Sequence, residues 1–161
     1  MQKKIIAFVC AIVGIVLALS VVTAVQNRSE YTVKESKIEP AVKHLIEIFN
    51  NADEPEYKTM YWEFLSEQTK NILISQSGSE DAAKREVWVM LQEVVELERQ
   101  VEFLALEFVD IQGDVATVVI RVKISESGGE PVETSALHKY RWENGEWKFI
   151  DWLIEPEMYK R

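Results

Sequence analysis

Three spacings of apolar residues follow one another along this chain. The first is continuous: Ile5 to Val25 is a run of 21 residues without a charge. A helix rises 1.5 Å per residue, so the run spans roughly 30 Å, the hydrocarbon thickness of a bilayer. The second spacing is helical. Ser36-Lys37-Ile38-Glu39 has the form of a capping box, and Pro40 suits a first turn. Ile38, Ala41, Val42, Leu45, Ile46 and Phe49 then recur on one helical face. Asn50, Asn51 and Asp53 interrupt it, and Asp53-Glu54-Pro55-Glu56 opens a second helix with Tyr57, Met60, Tyr61, Phe64 and Leu65 as its stripe. Ser66 caps a further turn carrying Ile72 and Leu73. Ser75 to Ser79, with Gly78, reads as a loop. A third helix runs from Glu80 to about Glu98, turning Val87, Met90, Leu91, Val94 and Val95 inward, with Trp88 beside that stripe.

From Val101 the period falls to two. Val101–Ile111 and Val115–Ile124 are rich in β-branched and aromatic residues, and Gln112-Gly113-Asp114 turns between them. Ser125 to Glu133 is a loop. Thr134–Glu143 and Glu146–Ile154 then flank Asn144-Gly145, a strong hairpin signal because a type I′ turn needs positive φ twice. A two-residue turn sets the register. Glu143 faces Glu146, Trp142 faces Trp147, Tyr140 faces Phe149, and His138 faces Asp151, with the last three pairs on one sheet face.

Helices first and an antiparallel meander second give an α+β fold class. The expected architecture is an N-terminal transmembrane helix followed by three helices packed on a curved antiparallel sheet. Its divisions are a signal-anchor segment over 1–28, a tether over 29–36 and a folded domain over 37–161. The order of elements resembles the cone-shaped nuclear transport factor 2-like superfamily, which includes ketosteroid isomerases, polyketide cyclases and many exported domains. The resemblance rests on Phe64-Leu65-Ser66, on Asp110 to Ala116 at the first β turn, and on Tyr140 to Asp151 at the closing hairpin. It implies a frame and no reaction. An isomerase of that superfamily needs a carboxylate base, an oxyanion-stabilising tyrosine and a protonated acid in an apolar pocket. That set does not map onto this sequence.

Charge orients the first segment. Lys3 and Lys4 precede the run and Arg28 follows it, soon offset by Glu30, so the positive-inside tendency puts the N-terminus in the cytoplasm and the domain outside. A single-pass plasma-membrane protein is the expectation. The competing reading is a signal peptide cut near Ala24, after the small residues of Val22-Thr23-Ala24, which would release a secreted domain. Removing Lys3, Lys4 and Arg28 from the count leaves 15 basic against 27 acidic residues, a net of −12. Such a surface repels phosphate backbones, so nucleic acid is not an expected partner. The sole cysteine, Cys10, lies inside the apolar run, so the outer domain has neither a disulfide nor a cysteine-ligated metal.

Candidate chemistry is sparse. His138 opposite Asp151 on an aromatic face is the arrangement suited to proton transfer, with the carboxylate orienting the imidazole. The same pair also serves as a plain hydrogen bond at a sheet margin, which is the commoner use. Tyr57, Tyr61, Trp88 and Tyr140 are the candidates to line a ligand pocket at the mouth of the cone. His44 falls off its helix's apolar stripe and reads as exposed. No metal and no cofactor is expected, because the two histidines sit in distant segments and no Gly-rich phosphate loop is present. The expectation is a non-catalytic, membrane-anchored binding or assembly module of the cell envelope with a protein partner. The alternative is a small-ligand-binding or isomerase/hydrolase-like enzyme using the cone.

Overall fold

A computed structural model describes residues 28–150. The apolar run Ile5–Val25, and with it the expected transmembrane helix, lies outside the described residues, as does Asp151. Among the described residues no helix is long and apolar enough to cross a membrane. The chain divides into two units at Ser36/Lys37. In the first, residues 28–36, which include the expected tether over 29–36, are helical (α1). Lys34 pairs with Glu30 at 2.8 Å, one turn earlier.

Among its described residues the second unit contains four helices, one more than the sequence suggested, and a four-stranded antiparallel meander. The helices are α2 (Ile38–Asn50), α3 (Pro55–Phe64), α4 (Glu67–Ser77) and α5 (Glu80–Glu96). The strands are β1 (Gln100–Gln112), β2 (Val115–Ser125), β3 (Val132–Glu143) and β4 (Glu146–Ile150), paired in sequence order. The added helix is α4. Ser66 is its cap, with Oγ accepting from Thr69 N–H at 3.2 Å, and the helix continues for three turns through the segment read as loop. Gly78 ends it in the left-handed region, φ +83°, with its N–H on the Ile74 carbonyl, so the glycine is a helix C-cap rather than a loop residue. Ser79 caps α5 in the same way, accepting from Ala82 N–H. The capping box at Ser36–Glu39 is not made. Lys37 occupies the N-cap without a side-chain capping bond, and Ser36 Oγ donates back to the Val33 carbonyl.

α2 lies against β1 and β4. Its buried face is Ile38, Ala41, Val42, Leu45, Ile46 and Ile48, with Phe49 half-buried against the core. From the sheet, Ala116, Val118, Ile120 and Val122 of β2 point into the same core, alternating with half-buried or exposed neighbours. Two links tie helices to strand edges. The side-chain amide of Asn50 donates to the Val101 carbonyl and accepts from the Val101 N–H, both at 2.8 Å. At the other edge Leu65 forms an isolated parallel bridge with Phe149, and Ser66 N–H donates to the Phe149 carbonyl at 2.8 Å. Thus Ser66 closes a sheet edge with its backbone and starts a helix with its side chain.

The Asn144-Gly145 hairpin has the expected form. Asn144 and Gly145 stand at φ +53° and +86°, and the pairs Glu143↔Glu146, Trp142↔Trp147 and Tyr140↔Phe149 hold. The first hairpin departs from simple alternation. The β1–β2 register shifts twice, between Phe103 and Ala105 and between Leu106 and Phe108. Each extra residue bends the strand and increases its twist, which curves the sheet around the helices.

Candidate functional site

The helix-covered face of β3 and β4 gathers the aromatic residues of the closing hairpin. Alternation along β3 puts His138, Tyr140 and Trp142 on it, and β4 adds Trp147 and Phe149 across the ladder. His138 Nδ1 lies 3.1 Å from the Tyr140 hydroxyl. Phe149 packs on both rings, with centroids 5.6 Å from His138 and 5.6 Å from Tyr140. Tyr61 of α3 and Phe64 complete the packing, at 6.5 Å from Phe149 and 6.3 Å from Tyr140. Tyr61 and Tyr140 are fully buried, and Trp147 and Phe149 nearly so.

Burial sets the electrostatics. Desolvation pushes the His138 imidazole down to about 4, because a charged ring gains nothing from its apolar neighbours. The same cause pushes the Tyr140 phenol up from its ordinary value. At neutral pH both groups are therefore uncharged. One proton joins them: either the phenol donates to Nδ1, or Nδ1–H donates to the phenol oxygen, according to the tautomer. A neutral imidazole beside a neutral phenol can relay or accept a proton. Asp151, the opposing residue expected from the register, lies outside the described residues.

The other pocket candidates separate. Tyr61 and Tyr140 both reach Phe149. Tyr57, one turn earlier on α3, is half-buried, and its phenol is raised by partial desolvation and then by Glu47, Glu54 and Glu56. Trp88 is 38% exposed on α5, outside the Ala83, Val87 and Leu91 stripe that the helix buries. The four residues thus do not line one chamber. His44 is half-buried rather than free: its ring meets Phe64 edge-on at 5.1 Å, and Nδ1 lies 3.5 Å from a Glu47 carboxylate oxygen.

Two of the grooves on the surface of the described domain are lined by neither His138 nor Tyr140. One, of about 590 Å³, has a floor of Pro40, Ala41, Met60, Phe64 and Trp147 between α2, α3 and β4. The other, of about 780 Å³, lies between α4 and the outer face of β3 around Arg141. Among the described residues no three of His, Cys, Asp and Glu stand together as a metal site. The hydrogen bond from His138 to Tyr140 was open to sequence reasoning, because residues two apart on a strand share a face. The Arg141 groove gave no such signal. α4 was read as one turn, so the face it presents to β3 could not be drawn.

No family model matches the chain, and no curated protein matches it. Among solved structures it is similar to a de novo designed β-sheet protein solved by solution NMR. That chain is 15% identical, the match covers 75% of this chain and 87% of that one, and the TM-score is 0.45. A second similar chain, designated as a multiple-substitution variant of Rd1NTF2_05, is 15% identical, with 42% and 56% covered and a TM-score of 0.34. The α+β class stands on the elements described above.

Proposed function

We propose that this chain is a non-catalytic binding or assembly module of the cell envelope, built on a nuclear transport factor 2-like frame. In this reading Ile5–Val25 holds it in the plasma membrane, with the N-terminus inside and the domain outside. The observation that supports a binding role over a catalytic one is the filling of the sheet's covered face. Tyr61, Tyr140, Trp147 and Phe149, each exposed by 2% or less, occupy the space that a cone-shaped enzyme keeps for its substrate. The exposed chemistry lies outside, in the two grooves.

One observation favours a second reading. The His138–Tyr140 pair is a proton-competent couple held in apolar surroundings, which suits acid–base chemistry on a small ligand. The experiment uses the full chain. Membrane residence, the mass of the mature N-terminus and photo-crosslinking from Met60 in intact cells are measured together. The binding-module reading expects an uncut, membrane-resident chain with a reproducible cross-linked partner, unchanged by His138→Gln. A mature chain beginning at Val25 sinks the anchor. A small ligand that saturably shifts Tyr140 resonances, and loses that effect in His138→Gln, transfers support to the second reading.

A further inference from the structure

The sheet finishes its two edges differently. The β4 edge is met by Leu65 and by the Ser66 N–H on the Phe149 carbonyl. The β1 edge is closed at Val101, where the Asn50 side chain takes both the N–H and the C=O. That closure also shows which residues of β1 turn their peptide groups outward. Val101 pairs with Ile124, and in an antiparallel ladder every second β2 residue from Ile124 opposes another outward-turned residue. Val118 and Ala116 belong to that set, so their partners Val109 and Ile111 each aim an N–H and a C=O away from the sheet. Among the described residues nothing bonds these groups. Bulges interrupt β1 at Leu104 and Glu107, but the register is regular from Phe108 to Gln112. Bulges blunt an edge, whereas a straight unpaired edge is a template for a further strand.

The side chains of this stretch say what such a strand would carry. Val109 and Ile111 are half-buried against the core on the covered face. Phe108, 54% exposed, and Asp110 point to the outer face. Asp110 accepts from the Gln112 carboxamide at 2.7 Å, a neutral group that does not cancel its charge. We infer that the Phe108–Gln112 edge receives an extended segment of a partner protein as a fifth, antiparallel strand, with apolar residues opposite Val109 and Ile111 and a basic residue opposite Asp110. The inference rests on the partner-binding reading above and names the partner's chemistry. Val109 and Ile111 each exchange an N–H and a C=O with the residue opposite, which gives affinity, and the alternating side chains give selectivity. The apolar ones continue the half-buried row, and the basic one meets Asp110 across the ladder. The net −12 of the domain draws such a segment in. A second copy is a poorer match. Self-pairing that joins Val109 to Ile111 in both copies sets Asp110 opposite Asp110, and like charges directly opposite are destabilising.

The full chain in detergent micelles is titrated with the acetylated peptide amide Thr-Val-Lys-Val-Tyr, read by the backbone amides of Val109 and Ile111. Three controls share its length: one N-methylated at both Val nitrogens, one N-methylated at the Lys and Tyr nitrogens, and one with Glu in place of Lys. Saturable binding of the parent peptide is expected. Methylation at Val should cost about tenfold or more, because those N–H groups face β1, and methylation at Lys and Tyr should cost little. Val109→Pro removes an outward N–H and spares the β1–β2 ladder, so it should abolish binding. Asp110→Lys leaves the backbone untouched and should reverse the preference from the Lys to the Glu peptide, so the test survives if Val109→Pro disturbs the fold. The site is overturned if the parent peptide does not saturate, if the two methylated peptides bind alike, or if a folded Val109→Pro chain keeps the affinity. It is also overturned if the chain associates with itself and Val109→Pro dissolves that association, which would assign the edge to a second copy. A partner cross-linked from Met60 in cells, with no peptide bound, removes this site alone. Absence of both removes the broader binding reading as well.

Discussion

Neighbouring residues of β3 meet opposite conditions on the two faces of the sheet. Tyr140 points into the covered face, fully buried, its hydroxyl joined to His138 and its ring set among Phe64 and Phe149. Arg141 points the other way, with a buried Nε–H that nothing in the described structure accepts. One face has its polar atoms matched within the domain, and the other leaves a donor over. The two faces therefore differ in residual bonding capacity and not only in apolar area. The comparison makes a sharp forecast about cost: changes on the covered face should be expensive, and changes at Arg141 cheap.

The largest effect is expected at Tyr140. Tyr140→Ala removes a buried aromatic ring and leaves His138 without its partner, so it should lower stability by about 3–5 kcal/mol. Chemical denaturation of the full chain measures it. A loss below about 1 kcal/mol would mean that the covered face relaxes around a void, and the reading of a tightly filled cone would go with it.

A smaller effect follows from protons. His138 holds its folded-state value near 4, below the ordinary imidazole value of the unfolded chain. As pH falls from about 6.5 to 4, the unfolded chain takes up a proton that the folded chain refuses. Stability is thus fully present above that window and declines through it, by on the order of 2–3 kcal/mol, with no further loss from this group below it. Comparing the pH dependence of unfolding for parent and His138→Gln isolates the term. Equal slopes between pH 6.5 and 4 would place the imidazole in contact with water.

How much of this was legible depends on the range of the signal. Asn144-Gly145 carries its turn in two residues, and the register from Glu143↔Glu146 to Tyr140↔Phe149 follows by counting. Alternation likewise placed His138 and Tyr140 on one face. Period alone cannot choose between a neighbour two residues along a strand and one across the ladder, so the hydrogen bond to Tyr140 was not singled out. The β1 bulges were hidden because Leu104 and Glu107 break the ladder only when β2 is paired against it. Trp62 reads as off-stripe on α3, yet it is 7% exposed, with Lys84 of α5 lying 5.5 Å from its ring centroid. Helix α4 reads as a single turn because Ser75 and Ser77 are weak helix formers, and Gly78 signals a loop as readily as a C-cap.

The hairpin turn offers a third measurement. Gly145 sits at φ +86°, and a Cβ built there meets nothing within 4 Å, so a substitution is strained through the backbone and not through a clash. Gly145→Val should cost about 1–2 kcal/mol. The loss should spare the helices, because Tyr140↔Phe149 and the Ser66 N–H bond to Phe149 lie further along the ladder. An unchanged melting temperature would show that the turn rearranges freely and that register is held elsewhere.

The smallest effect is expected at Arg141, and its sign is informative. Arg141→Met keeps much of the aliphatic stem that packs beneath the guanidinium and removes the Nε–H that lacks an acceptor. Losing a buried, unmatched donor is neutral or stabilising, here by up to about 1 kcal/mol, whereas losing a matched one destabilises. The same denaturation assay used for Tyr140→Ala reads it. A loss above about 1 kcal/mol would mean that Arg141 holds the sheet to α4, as a structural residue would. The contrast between the faces would then collapse, since both would be committed to the fold. A neutral or positive result leaves a cationic side chain that the fold does not require for stability, next to a groove on the outer surface.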